Sequence, residues 1–273
     1  MNRGFSVHEL LISLTVMGVV FGLTTHFALQ QTRVFRYVDE VGRQRSQLEQ
    51  ITEIVRNVLV NVSPSTGELL VAQDSALEVR ATIGTAFVCS GQPGRVVVPA
   101  PGASAGAISS AFLRSPAPGD RVSALFSDST GATWLHLQVS SWPIPEGLCS
   151  VNPQIQATWS ISTLEPTSLP PGTPLRFTRP LRLSLYRSSD NRWYLGAKDW
   201  NGEGGHFNGI QPVAGPLLGH EDDARSGLRF EFRDSQGEMI GAPVDGARVA
   251  SVIVVARVSA DSMTAVVRLT NAP

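Results

Sequence analysis

Glu9 stands at the head of twenty residues, 10–29, that carry no charged side chain. A carboxylate at the mouth of an apolar span is costly unless it meets an opposite charge. Its chemistry is that of a pairing group, or of an acid favouring the positive end of a helix. Gly4 and Phe5 lie just ahead of it, in the string Gly4-Phe5-Ser6-Val7-His8-Glu9-Leu10-Leu11. Other residues compete for a chemical role. Gly102-Ala103-Ser104-Ala105-Gly106 fits the G-x-S-x-G pattern of a nucleophile elbow, which needs a strand, a sharp turn and a helix around the serine. Here it sits in a run of Pro, Ala, Gly and Ser, and it reads as a surface loop. Asp199, Asn201 and Glu203 offer oxygen ligands at alternate positions, as at the start of a calcium loop. The acid such a loop needs at its twelfth position is replaced by Ile210, which leaves these three as weak calcium candidates. Glu221, Asp222 and Asp223 could add ligands or form a solvated acidic run. His136 lies in a strand-like run, His206 and His220 in loops, and no spacing unites them with an acid or a cysteine. There is no P-loop or dinucleotide fingerprint, so no cofactor is expected.

Cys89 and Cys149 are the two cysteines, and neither belongs to a C-x-x-C or lies near a ligand-spaced histidine, which argues against zinc. If this part of the chain is exported, a disulfide is the natural reading. It would close a long loop and contribute about 3–4 kcal/mol in the chain-entropy picture. Two unpaired buried thiols are the alternative.

The elements that must position these residues follow from composition and pattern. A chain of 273 residues holds one sizeable core, or a small anchor and one globular domain. With 42% apolar and 16% charged residues it is no disordered polymer. The 25 glycines and 18 prolines point to many turns rather than a helical bundle. A formal charge of −1 lacks the basic excess that tracks phosphates, so no nucleic-acid partner is expected.

As a helix, residues 10–29 would be about 30 Å long, the thickness of a bilayer's hydrocarbon core. Ser13, Thr15, Thr24, Thr25 and His26 soften the span. Arg3 precedes it, and the positive-inside rule then leaves the N-terminus in the cytoplasm and the bulk of the chain outside. A secretory signal peptide, a plain membrane anchor and a buried core helix are the ordinary alternatives. Against the first, the basic region is very short and no A-x-A-like site closes the apolar run.

The helical pattern continues. Val34, Val41, Leu48, Val55 and Val62 recur every seven residues, and Tyr37, Ile51 and Val58 follow three after members of that row, with Gln44 as the interruption. Arg33, Arg36, Asp39, Glu40, Arg43, Arg45, Glu49, Glu53 and Arg56 form a solvated face. The pattern predicts an amphipathic helix packed on a sheet, ahead of a coiled coil whose second row is broken. Asn61, Ser63 and Pro64 place its end near Val60, about 84 Å from Phe5. Beyond Pro64, short strand-like runs cover 77–83, 95–98, 121–126, 133–139, 181–185, 228–232, 248–258 and 264–269. Asp234-Ser235-Gln236-Gly237 reads as a turn. The fold class expected is α+β, a long N-terminal helix on a mainly antiparallel sheet.

The segment Gly4 to Leu11 resembles the cleavage and methylation motif of type IV pilins and pseudopilins. The resemblance implies that a prepilin peptidase cuts after Gly4 and that the new N-terminal Phe5 is N-methylated. It also makes Glu9 the fifth residue of the mature chain, where the family carries glutamate. His8 departs from the apolar residue or serine more usual there. The sequences LRLSLYRSSDNRWYL at 181–195, GLRFEFRDSQG at 227–237 and ARVASVIVVARV at 247–258 resemble, in order and pattern, the closing region of large minor pilins of the W type and of pseudopilin J. The middle, about 65–175, resembles no member.

The family reading divides the chain into a leader at 1–4, a transmembrane and assembly helix at 5–29, an amphipathic helix at 30–62 and a β-rich periplasmic head at 63–273. It implies a non-enzymatic subunit in the inner membrane, later in a pilus or type II secretion pseudopilus. Its partners would be the peptidase and methyltransferase, other minor subunits and the major subunit. The rivals are a membrane-tethered periplasmic hydrolase using Ser104 and a tip adhesin whose loops at 197–226 contact a surface.

Overall fold

The computed structural model describes residues 7–106, 108–128, 131–220, 226–241, 244–259 and 261–270. Gly4, Phe5, Glu221, Asp222 and Asp223 lie outside the described residues, and so do the side chains of Glu9 and Ser104.

Helix α1 spans Val7–Leu59 without a proline in it. The amide of Val60 still reaches the carbonyl of Arg56, and that of Val62 reaches Leu59. Pro64, which has no amide hydrogen and restricts Ser63, then prevents another turn. The helix thus stops one residue before the expected Val60. The chain divides into two compact units, the first ending at Gln47 and the second, the head, beginning at Leu48.

In chain order the head first carries β1 (Leu69–Ala72), β2 (Ala76–Phe87), β3 (Ser90–Gln92), β4 (Arg95–Pro99), β5 (Ser104–Ala105) and β6 (Ile108–Phe112). Then come β7 (Arg121–Asp128), β8 (Gly131–Gln138), β9 (Ile144–Glu146), β10 (Thr158–Ser162), β11 (Pro174–Arg187) and β12 (Trp193–Asn201). The last are β13 (His206–Phe207), β14 (Gln211–Leu217), β15 (Leu228–Arg233), β16 (Met239–Ile240), β17 (Ser251–Arg257) and β18 (Ser262–Arg268). They form a ten-stranded sheet centred on β2 and β11, a four-stranded sheet β3-β4-β10-β9 and a four-stranded sheet β16-β15-β17-β18. The fold is α+β. The strand read at 248–258 begins only at Ser251, because Gly246–Arg248 forms a 3₁₀ turn whose Ala247 amide donates to the Asp245 carboxylate.

Two apolar cores explain the three sheets. In the first, Leu48, Ile51, Val55 and Leu59 of α1 are fully buried together with Leu77 and Val79 of β2, Leu183 of β11, and Phe230, Val252 and Val254 of the C-terminal sheet. Burying one such side chain contributes about 1.5–3 kcal/mol, so this stripe fixes the end of α1 on the head. In the second, Val96, Val98 and Ile161 of the β3-β4-β10-β9 sheet meet Ile83, Val122, Leu137, Leu175 and Phe177 of the large sheet. Strands β2 and β11 run through both cores, which is why they are twelve and fourteen residues long.

A proline inside the central strand β11 looks misplaced, since proline has no donor for a ladder. Pro180 stands opposite Arg80 of β2, and the Arg80 amide points away from β11, to the carbonyl of Glu68. Directly opposed residues of an antiparallel pair either both face each other with their polar groups or both face away. The nitrogen of Pro180 therefore also points away from β2. On that side β7 pairs only up to Thr178 and β12 only from Leu181, so no ladder bond is lost.

Cys89 and Cys149 form a disulfide, buried with Val97 and Ile155. Neither thiol is an isolated buried group. Replacing both by alanine is expected to lower head stability by about 4 kcal/mol, given a bridge across 60 residues, read by urea unfolding under oxidising conditions. An unchanged midpoint would contradict that role.

Candidate functional site

The N-terminal unit is built for an apolar surrounding. Along α1, Leu10, Leu11, Ile12, Leu14, Val16, Val19, Val20, Phe21, Leu23, Phe27 and Leu29 are all exposed. The threonines that soften this span hide their hydroxyls against the helix itself. Thr15 donates to the carbonyls of Leu11 and Ile12, Thr24 to those of Val20 and Phe21, and Thr25 to that of Phe21, at 2.8–3.1 Å. His26 exchanges a hydrogen bond with Gln30. Such back-bonding removes much of the cost of a hydroxyl in hydrocarbon. The helix is long and apolar enough to cross a membrane. Glu9 lies on it, two residues from its first described position.

The other chemistry-bearing residues do not converge. Ser104 falls in the two-residue strand β5, paired with β6 as Ser104 to Ser109 and Ala105 to Ile108, and flanked by Gly102 and Gly106 at positive φ. A hairpin replaces the strand-turn-helix that an elbow requires. Asp199 and Asn201 belong to strand β12, not to a loop. The Asp199 carboxylate is held by Arg114. The Asn201 oxygen accepts the amides of Glu203 and Gly204, and Glu203 accepts the Trp142 indole at 2.5 Å. The three weak calcium candidates thus serve three different contacts. His206 lies in β13 and binds the Gly204 carbonyl, and His220 is near the Ser226 hydroxyl.

His136 is paired across β7 and β8 with Ser123, Nδ1 to Oγ at 2.9 Å. The pair has the outline of a nucleophile and base, but Ser123 is buried at 3% exposure. The charges acting on His136 are Arg121 and Arg80, both cations, whereas a triad orients its base with a carboxylate. Burial first, then these two cations, hold the His136 imidazole below its ordinary pKa. The arrangement is a neutral cross-strand hydrogen bond.

A polar face with buried ion pairs escaped sequence reasoning. Register puts Arg80 and Thr82 of β2, Arg176 and Thr178 of β11, Arg121 and Ser123 of β7, and His136 and Gln138 of β8 on one face of the large sheet. Arg176 pairs with Glu68, which also accepts the Ser63 amide at 2.7 Å and so ties down the chain after α1. Elsewhere, Arg179 grips Asp120 with Nε to Oδ1 and Nη2 to Oδ2, both 2.7 Å. That pair of hydrogen bonds to Asp120 raises the Arg179 pKa from its ordinary value against the effect of burial. The alternation Arg176-x-Thr178 opposite Arg121-x-Ser123 was the available signal, but single strands do not announce their partners.

A cleft of about 360 Å³ opens between Asn57 and Val58 of α1, Asn61 just past it, and residues of β2 and β11. Its rim carries Leu113, which is 86% exposed, and the Arg114–Asp199 pair. Comparison with protein-family models, with curated proteins and with solved structures finds no match for this chain.

Proposed function

We propose that the chain is a minor pilin or minor pseudopilin, a structural subunit rather than an enzyme. The observation that carries this reading is the unbroken helix Val7–Leu59, apolar and uncovered in its first turns and built into the core of an antiparallel head from Leu48 onward. Such a helix needs a bilayer or neighbouring helices around its first half. The string from Gly4 to Glu9 supplies what an assembly subunit needs there. After cleavage behind Gly4, the amine of Phe5 is a positive charge, and in hydrocarbon the Glu9 carboxylate of a neighbouring subunit is its natural partner, because charge pairing is strong at low dielectric. This pair sets the register between subunits. The chain resides in the inner membrane with its head in the periplasm, and passes into a pilus or a type II secretion pseudopilus. A head with three sheets is bulky for a repeating shaft, which favours a place at or near the tip, with other minor subunits.

Expression in a cell with pilus or secretion machinery tests the reading. The chain is expected in the sheared filament fraction, well below the level of the major subunit. Retention in the membrane alone would overturn it. Glu9→Ala is expected to leave cleavage intact and to reduce incorporation or N-methylation, measured by immunoblot of that fraction and by mass spectrometry. Unaltered incorporation and methylation would remove the register argument.

A further inference from the structure

On the polar face of the large sheet, two buried atoms have no hydrogen-bond partner: Arg80 Nε and Thr178 Oγ1. Thr178 is 0% exposed and stands in register between Thr82 of β2 and Arg121 of β7. Buried polar groups without partners are rare, and two on one face call for an explanation. The charges nearby sharpen the point. Glu68 is engaged by Arg176 and the Ser63 amide, and Asp120 by Arg179 and the Ala117 amide. Arg121 gives one bond to the Thr66 carbonyl at 3.3 Å. Among the described residues neither Arg80 nor Arg121 has an ion pair of its own. Burial first, then the Arg121 charge, lower the Arg80 pKa despite the opposing pull of Glu68, Asp120 and Glu78. Two like charges are thus held together in a half-buried place with no described carboxylate hydrogen-bonded to either of them.

Both arginines line a cavity of about 220 Å³, with His136, Gln138 and Glu165 also in its wall. Glu165 is turned to another task, accepting the Gln138 amide at 2.8 Å, and it is not among the carboxylates acting on Arg80. We infer that this cavity is a binding site for a small oxyanion, held between Arg80 and Arg121. Guanidinium forks bind carboxylate and phosphate oxygens with paired, charge-assisted hydrogen bonds, and the cavity has room for either group. The site is independent of the assembly role proposed above.

The test uses the full chain in detergent, with inorganic phosphate and succinate as separate probes and sodium chloride holding ionic strength constant. Isothermal titration and the thermal unfolding midpoint are the readouts. A saturable heat and a saturable rise in midpoint with at least one probe are expected, and the stronger probe identifies the oxyanion as phosphate or carboxylate. Arg80→Gln and Arg121→Gln are each expected to weaken binding by about tenfold or more, as loss of a charge-assisted contact implies. Arg187→Gln, at an exposed position, serves as the control and should bind as the unaltered chain does. Undiminished binding in the Arg80 and Arg121 variants would overturn the assignment. If those variants do not fold, the unaltered chain decides alone, since no saturable response to either probe also overturns it.

Discussion

Asp120→Ala is expected to lower the unfolding free energy of the head by about 3–5 kcal/mol, the cost of breaking a buried ion pair by removing one partner. Asp120 is 1% exposed. Both of its oxygens receive Arg179, and Oδ2 also accepts the Ala117 amide at 2.7 Å. The substitution leaves three consequences at once. The Arg179 side chain, only 14% exposed, loses its counter-charge. The Ala117 amide loses its acceptor. The turn leading into β7, closed by the Asp120 amide on the Ala117 carbonyl, loses the side chain that braces it. Removing both charges together, as Asp120→Leu with Arg179→Met, should recover much of the loss, because the unpaired charge rather than the missing attraction dominates. Urea unfolding of the full chain in detergent reads both. A loss under about 1 kcal/mol for Asp120→Ala, the size of an exposed pair, would show that the pair is solvated.

The second large effect lies at the other end of the chain. Gly4→Leu is expected to abolish processing in a host that carries a prepilin peptidase, so that the chain accumulates with residues 1–4 attached. Gly4 to Leu11 resembles the cleavage motif of type IV pilins and pseudopilins, in which cleavage follows a glycine. The retained leader also keeps the amine of Phe5 in a peptide bond, which removes the charge proposed to meet Glu9. Normal processing of Gly4→Leu would refute the peptidase claim whatever the fate of the head.

Much of the fold could be read from the chain, and the reasons are local. The seven-residue row became the buried stripe of α1 at Leu48 and Val55, with Val62 buried just past the helix end, because a helix presents such a row to one side wherever a sheet covers it; the row's earlier members Val34 and Val41 are exposed. The alternation Leu228, Phe230, Phe232 became strand β15 with those three side chains buried. What escaped was non-local. Nothing in the run at 174–180, with prolines at both ends, suggests a fourteen-residue central strand, since the vacancy that tolerates Pro180 is made by β7 and β12 ending on either side of it. The four-stranded sheet of β3, β4, β10 and β9 pairs residues as far apart as Arg95 and Ser162, and its strands are too short to show a period. The same limit governs the chemistry. Asp199, Asn201 and Glu203 have the spacing of ligands, yet strand β12 ends at Asn201 and a turn follows, so each finds its own partner, here Arg114, a backbone turn and Trp142. The polar face of Arg80, Arg121 and Arg176 exists only once four strands are in register.

The most direct measurement of the central claim is the intact mass of the unaltered chain, purified from the membranes of a host with a prepilin peptidase, together with the sequence of its N-terminal peptide. The account predicts a chain that begins at Phe5 and carries one methyl group on its terminal amine. A chain that still begins at Met1, or one cut beyond residue 29 as a secretory signal peptide would be, contradicts it.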